Sequence, residues 1–112
     1  MFVAKSKATI YKKPSCVVRE YGGVSNLDLG VAEINGKYPM VGWARNKEVD
    51  MTYFVIEGKG KFWLEDEVYQ IEKEDFVLIE RGRWYRCEGD LKVVMVSSPA
   101  WSPGQYEERE EK

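Results

Sequence analysis

The stretch Tyr53-Phe54-Val55-Ile56-Glu57-Gly58-Lys59-Gly60-Lys61-Phe62-Trp63-Leu64, closed by Glu65-Asp66-Glu67, carries the reading of the fold. Its residues are mostly β-branched or aromatic, and its glycines and the polar turn after it punctuate the chain at the spacing of strands rather than of a helix. The same texture runs from Val49 to Pro99, with short Val, Ile, Phe, Tyr and Trp runs parted by glycines or charged pairs. The expected strands are residues 15–21, 29–34, 40–44, 51–57, 60–64, 67–71, 76–79, 84–87 and 91–97. Turns are expected at Asn35-Gly36, Glu57-Gly58-Lys59-Gly60, Glu65-Asp66-Glu67 and Glu88-Gly89-Asp90, where glycine or short polar residues accept the backbone angles a hairpin needs. The pattern predicts an all-β sandwich or barrel with little or no helix. In Met51-Thr52-Tyr53-Phe54-Val55-Ile56 both faces are largely apolar, so this strand needs a barrel interior on one side and another sheet or subunit on the other.

Outside this stretch, the whole chain has 112 residues and a mass of 13.0 kDa, which suits one domain. Its 17 basic and 19 acidic residues leave a net charge of −2, so no basic field for nucleic acid or an anionic membrane is expected. The longest apolar runs, such as Phe76-Val77-Leu78-Ile79, are far short of the ~20 residues a spanning helix needs. The start, Met1-Phe2-Val3-Ala4-Lys5, lacks the apolar centre of a signal peptide, and a cytoplasmic location is expected. Cys16 and Cys87 are too few and too far apart for a metal knuckle and are expected as buried, reduced thiols.

The chain contains no histidine. Imidazole is the usual base near neutral pH and the commonest ligand of zinc, copper and iron, so its absence removes Ser-His-Asp and Cys-His catalysis and most transition-metal sites. Any chemistry must use Tyr, Lys, Arg, Cys or carboxylates.

The run Tyr53 to Gly60, the charged hairpin after it, and Glu74-Asp75-Phe76-Val77-Leu78-Ile79-Glu80-Arg81-Gly82-Arg83-Trp84-Tyr85 together resemble the small single-domain cupins, over about residues 29–106. The resemblance implies a double-stranded β-helix, or jelly-roll, barrel over residues 15–106, with residues 1–14 as an arm or edge strand and 107–112 as a charged, solvated tail. Cupins hold a metal with histidines and a glutamate from the motifs G-x5-HxH-x3,4-E-x6-G and G-x5-PxG-x2-H-x3-N. Counted back from Gly58, Met51 takes the place of the glutamate, and Lys47 and Arg45, or Asn46 and Ala44 on the longer spacing, take the places of the two histidines. Tyr85 takes the place of the third histidine. Such a set does not make a site for iron, manganese or zinc, and a metal-free, cofactor-free barrel is expected. The segments Gly36-Lys37-Tyr38-Pro39-Met40-Val41-Gly42-Trp43-Ala44-Arg45-Asn46 and Ser98-Pro99-Ala100-Trp101-Ser102-Pro103-Gly104-Gln105 are similar to a histidine-less cupin subgroup.

In that register Met51, Tyr53 and Val55 line one wall of the interior, Tyr85 and Cys87 another, and Arg45 and Lys47 stand at the mouth. The candidate ligand-binding residues are Arg45, Lys47, Tyr53, Tyr85, Tyr38, Trp43 and Cys87: a guanidinium fork for a carboxylate or phosphate, phenol donors, and aromatic or thiol walls. Each has a structural alternative. The tyrosines suit a core, Met51 a gap, Arg45 and Lys47 a solvated loop, and Cys87 a buried thiol.

Three functions stay open. The first is a metal-free receptor for a sugar, sugar phosphate or carboxylate that forms a homodimer. The second is a metal-independent sugar or keto-acid isomerase or epimerase, with Tyr85 or Tyr53 as acid and Lys47 as base. The third is a dimerisation module whose barrel is filled by its own side chains. An enzyme is the less favoured reading, because no histidine is present to serve as base.

Overall fold

The computed structural model describes residues 1–110. These form nine strands and two single 3₁₀ turns, at Lys5–Lys7 and Pro103–Gln105. The strands are β1 (Thr9–Lys13), β2 (Cys16–Val24), β3 (Leu27–Tyr38), β4 (Trp43–Asn46), β5 (Asp50–Leu64), β6 (Glu67–Glu72), β7 (Phe76–Ile79), β8 (Tyr85–Ser98) and β9 (Tyr106–Arg109). All pairings are antiparallel. β8 is the spine: β3 pairs along one edge from Asp28↔Ser97 to Tyr38↔Cys87, and β5 along the other from Asp50↔Ser98 to Leu64↔Tyr85. The sheet curls into the all-β, cupin-type jelly roll that the resemblance implies. No helix among the described residues is long and apolar enough to cross a membrane.

Burial follows strand parity. Along β5, Met51, Tyr53 and Val55 are buried while Phe54 between them is exposed, and along β8 Tyr85, Cys87, Leu91, Val93 and Met95 are buried. With Ile34, Phe62, Leu64 and Ile79 these form one core, each large side chain removing apolar surface equivalent to about 1.5–3 kcal/mol.

Three expected turns are not turns. Residues 51–57 and 60–64 join into the single strand β5, residues 84–87 and 91–97 into β8, and Asn35-Gly36 lies inside β3. The glycines act differently: Gly36 pairs with Gly89, and Gly89 with Gly60, so a line of glycines crosses three neighbouring strands. Long strands bend around a barrel at such a line because no Cβ blocks the close backbones. A Cβ on Gly60 would collide with the Glu88 carbonyl, and one on Gly58, at φ +89°, with that of Asp90. Glu65 does turn the chain, at φ 53°, between Leu64 and Glu67.

The two ends also carry structure. Thr9–Lys13 is an edge strand on β2. The charge run from residue 107, expected as a solvated tail, instead contributes Glu107, Glu108 and Arg109 to β9, which pairs with β4 from Trp43↔Arg109 to Asn46↔Tyr106. Ion pairing and stacking make this charged strand hold: Glu107 is ion-paired with Arg45, and the Arg109 guanidinium lies 4.3 Å from the Trp84 ring centre. Glu111 and Lys112 lie outside the described residues.

Candidate functional site

The interior is built from alternate residues of β4, β5, β8, β3 and β9. On β4, Ala44 and Asn46 are buried and Arg45 between them is not, so the longer of the two motif spacings gives the inward pair. The interior therefore holds Ala44, Asn46, Met51 and Tyr85 at the places of the metal ligands. A methyl, a carboxamide, a thioether and a protonated phenol do not fit a divalent transition metal, and no group of three or more Cys, Asp or Glu residues among the described ones could hold an ion.

Tyr53 and Tyr85 meet edge to face at 6.1 Å, and Phe62 stacks on Tyr85 at 5.8 Å. Burial pushes both phenols well above their ordinary range, with neighbouring phenols and Cys87 adding to it. They are therefore neutral hydroxyls at any physiological pH. Burial likewise pushes Cys87 up to about 12 and Cys16 to about 11.

Towards the rim the polar groups form a directed chain. The Tyr106 hydroxyl donates to Glu108 Oε2 at 2.7 Å, so its oxygen accepts from the Tyr38 hydroxyl at 2.6 Å. Lys13 Nζ lies 3.7 Å from the same carboxylate oxygen, and 5.2 Å and 5.5 Å from the ring centres of Tyr38 and Tyr106. Tyr38, Lys13 and Glu108 also border an outer cleft of about 450 Å³.

At the other side Asn46 anchors the segment after β8. Its Oδ1 accepts from Trp101 Nε1 and from Gln105 Nε2, both at 3.0 Å, while Trp101 N donates to Asp28 Oδ2 at 2.9 Å. Asn46 Nδ2 is buried with no hydrogen-bond partner among the described residues, a cost of about 1–3 kcal/mol if it stays unmet.

Of the residues expected at the site, Tyr53, Tyr85 and Cys87 line the interior and Tyr38 its rim. Arg45 does not: it faces outward, ion-paired with Glu107 and stacked 4.5 Å from the Trp84 ring centre. Lys47 is exposed just past β4, its backbone N–H bonded to the Gln105 carbonyl, and cannot serve as an interior base. Trp43 is half-buried on the outer face, under the Arg86 guanidinium at 4.6 Å. The charged pair near the tyrosines is instead Lys13–Glu108, which lies exposed at the rim. Sequence reading gave Asn46 only as the longer-spacing alternative and missed Lys13, Gln105, Tyr106 and Glu108; the signal available for the last two was the alternation in Tyr106-Glu107-Glu108-Arg109, which places Tyr106 and Glu108 on one face of a strand.

Comparison with known proteins agrees with this architecture. The family model described as a cupin domain matches residues 32–98. An uncharacterized protein of Aquifex aeolicus (strain VF5) is 33% identical over 57 residues, which is 48% of this chain and 47% of that relative, so the match spans about half of the relative's length. Among solved structures, a variant of Streptomyces PAC13 with uridine superposes with a TM-score of 0.89 at 16% identity, over 98% of this chain and 90% of its own. The nucleoside dehydratase Pac13 gives 0.89 at 16% identity, over 98% and 91%. KdgF from Halomonas sp. gives 0.75 at 15% identity, over 88% and 94%.

Proposed function

The chain belongs to the cupin domain family, and from that premise we propose that it binds an uncharged, oxygen-rich small molecule of the sugar or nucleoside class inside its barrel, without a metal ion. The carrying observation is the convergence of Tyr53, Tyr85, Tyr38 and Tyr106 on one interior that carries no charged core side chain, the nearest charges, Lys13 and Glu108, being paired with each other at the exposed rim. Protonated phenols offer hydroxyls that donate and accept in turn, the chemistry that recognises sugar hydroxyls, while their rings supply apolar walls for a sugar or base face. The outward turn of Arg45 and the exposure of Lys47 argue against the anionic ligands, sugar phosphates and carboxylates, that the sequence left open. That a similar fold is a nucleoside dehydratase, solved with uridine, makes a nucleoside the first probe.

The test is calorimetric titration with uridine, D-ribose and D-glucose. Binding by the wild type that weakens about tenfold or more in Tyr85→Phe and Tyr38→Phe is the expected result. Binding undisturbed by either change, or no binding at all, overturns it. A filled barrel serving only as a dimerisation module is the second reading. The mutual packing of Tyr53, Phe62 and Tyr85 favours it, and it predicts no binding. The isomerase reading loses the base assigned to it, because Lys47 is in solvent.

A further inference from the structure

We infer that Asn46 selects the acceptor oxygen of the interior ligand, its amide N–H₂ donating to a carbonyl, ring or hydroxyl oxygen of an uncharged molecule; this rests on the reading of the barrel as a binding chamber.

The direction of the Asn46 carboxamide is fixed by two groups that can only donate. The Trp101 indole N–H, 3.0 Å away, has no acceptor capacity, so the atom of Asn46 that faces it is the oxygen. The second group is the Glu48 backbone N–H, which donates to Gln105 Oε1 at 3.2 Å. That contact turns Gln105 Nε2 towards Asn46 Oδ1 at 3.0 Å and the Ser102 carbonyl at 3.2 Å. Rotating the Asn46 amide would break two hydrogen bonds and set its N–H₂ against two other donors. Both partners of Oδ1 come from the segment between β8 and β9, so Nδ2 is turned away from that segment.

Nδ2 is buried and has no hydrogen-bond partner among the described residues, and Asn46 is only 1% exposed. It lies on the buried face of β4 with Ala44, in register with Tyr106 of β9. A donor held in one direction and left without an acceptor accepts substrate oxygen and rejects substrate N–H. The charge of that oxygen is constrained too. Asp28 is turned to the Trp101 backbone N–H, Lys13 is paired with Glu108, and the phenols are neutral, so an anion placed against Asn46 would be buried without a counter-ion of its own.

The experiment is a titration of ¹⁵N-labelled wild-type protein with uridine, D-ribose and D-glucose, following the Asn46 side-chain amide resonances, with calorimetry on the wild type and on Asn46→Asp. That substitution keeps one oxygen for Trp101 and Gln105 and replaces the N–H₂ by an acceptor of nearly the same shape. The expected result is a ligand-dependent shift of the Asn46 side-chain amide protons and at least a tenfold loss of affinity in Asn46→Asp. Binding that moves other interior resonances but leaves the Asn46 amide in place overturns the inference alone, and it is read on the wild type even if the variant folds poorly. Unchanged affinity in Asn46→Asp overturns it equally. No binding of any of the three probes to the wild type overturns the binding reading and this inference with it.

Discussion

Tyr106 and Tyr38 show how the polarity of a hydrogen-bond chain decides what a single hydroxyl is worth. Tyr106 donates to Glu108 and accepts from Tyr38, so Tyr106→Phe strands the Tyr38 hydroxyl in a half-buried position, whereas Tyr38→Phe leaves Tyr106 with its carboxylate. Tyr106→Phe is expected to cost about 1–3 kcal/mol and Tyr38→Phe nearer 0.5–1.5 kcal/mol, measured by urea unfolding at neutral pH. Equal costs would mean that the chain does not run in this direction. Burial makes a second prediction for the thiols. With Cys87 pushed to about 12 and Cys16 to about 11, the thiolate is scarce at pH 7. Neither should react with a thiol reagent in the folded protein, and both should react on unfolding; rapid labelling of one in the native state would refute it. At this scale Tyr53, Tyr85 and Cys87 were legible because strand parity alone assigns them a face. Arg45 and Lys47 were misplaced because the two motif spacings differ by one residue, and one residue in a strand is the opposite face.

The strand pair β4–β9 is the element that completes the site, since it brings Asn46 opposite Tyr106 and Ala44 opposite Glu108. It was the hardest part to foresee, because Glu107-Glu108-Arg109-Glu110 reads as a solvated run, and the partners that make a charged strand favourable, Arg45 on β4, Lys13 on β1 and Trp84 just before β8, lie far away in the sequence. The glycine line was misread for a related reason: glycines that permit a hairpin also permit a bend where three strands approach, and only the register distinguishes these. Gly42, just before β4, sits at φ +79°, and a Cβ there would collide with the Arg109 carbonyl. Gly42→Ala should therefore release β9 while leaving the β5–β8 spine intact. Hydrogen exchange should show faster exchange at residues 106–109 and unchanged protection at 91–96. The control is Gly22→Ala, which has a similar φ of +83° but open space around the added methyl. It should cost only the left-handed backbone penalty of about 1–2 kcal/mol.

For the whole molecule, the buried thiols and phenols tie stability to alkaline pH. Their folded pKa values lie above the ordinary 9.0 of the thiols and 10.0 of the phenols, so the unfolded chain ionises first. This contribution is complete below about pH 9 and is lost as pH rises towards about 12, so the melting temperature should fall over that window and not between pH 6 and 8. The same sheet presents an uncovered outer face. Phe54 and Phe76 are paired across β5 and β7, and Thr52 with Leu78, while Val94 and Val96 of β8 and Val31 and Leu29 of β3 continue the two rows. Phe76, Leu78, Phe54 and Leu29 are exposed, and none of these eight side chains is charged. Sequence patterning called for cover on both sides of β5, and this chain supplies it on one. A second copy, placed face to face about a twofold axis, would cover the other with the same uncharged rows. Light scattering should then give twice the 13.0 kDa chain mass, and Phe54→Lys with Leu78→Lys should return it to one chain mass while the fold, read by circular dichroism, is retained. A single chain mass for the unaltered protein at high micromolar concentration would refute the pairing, and a dimer indifferent to both lysines would place it on another face.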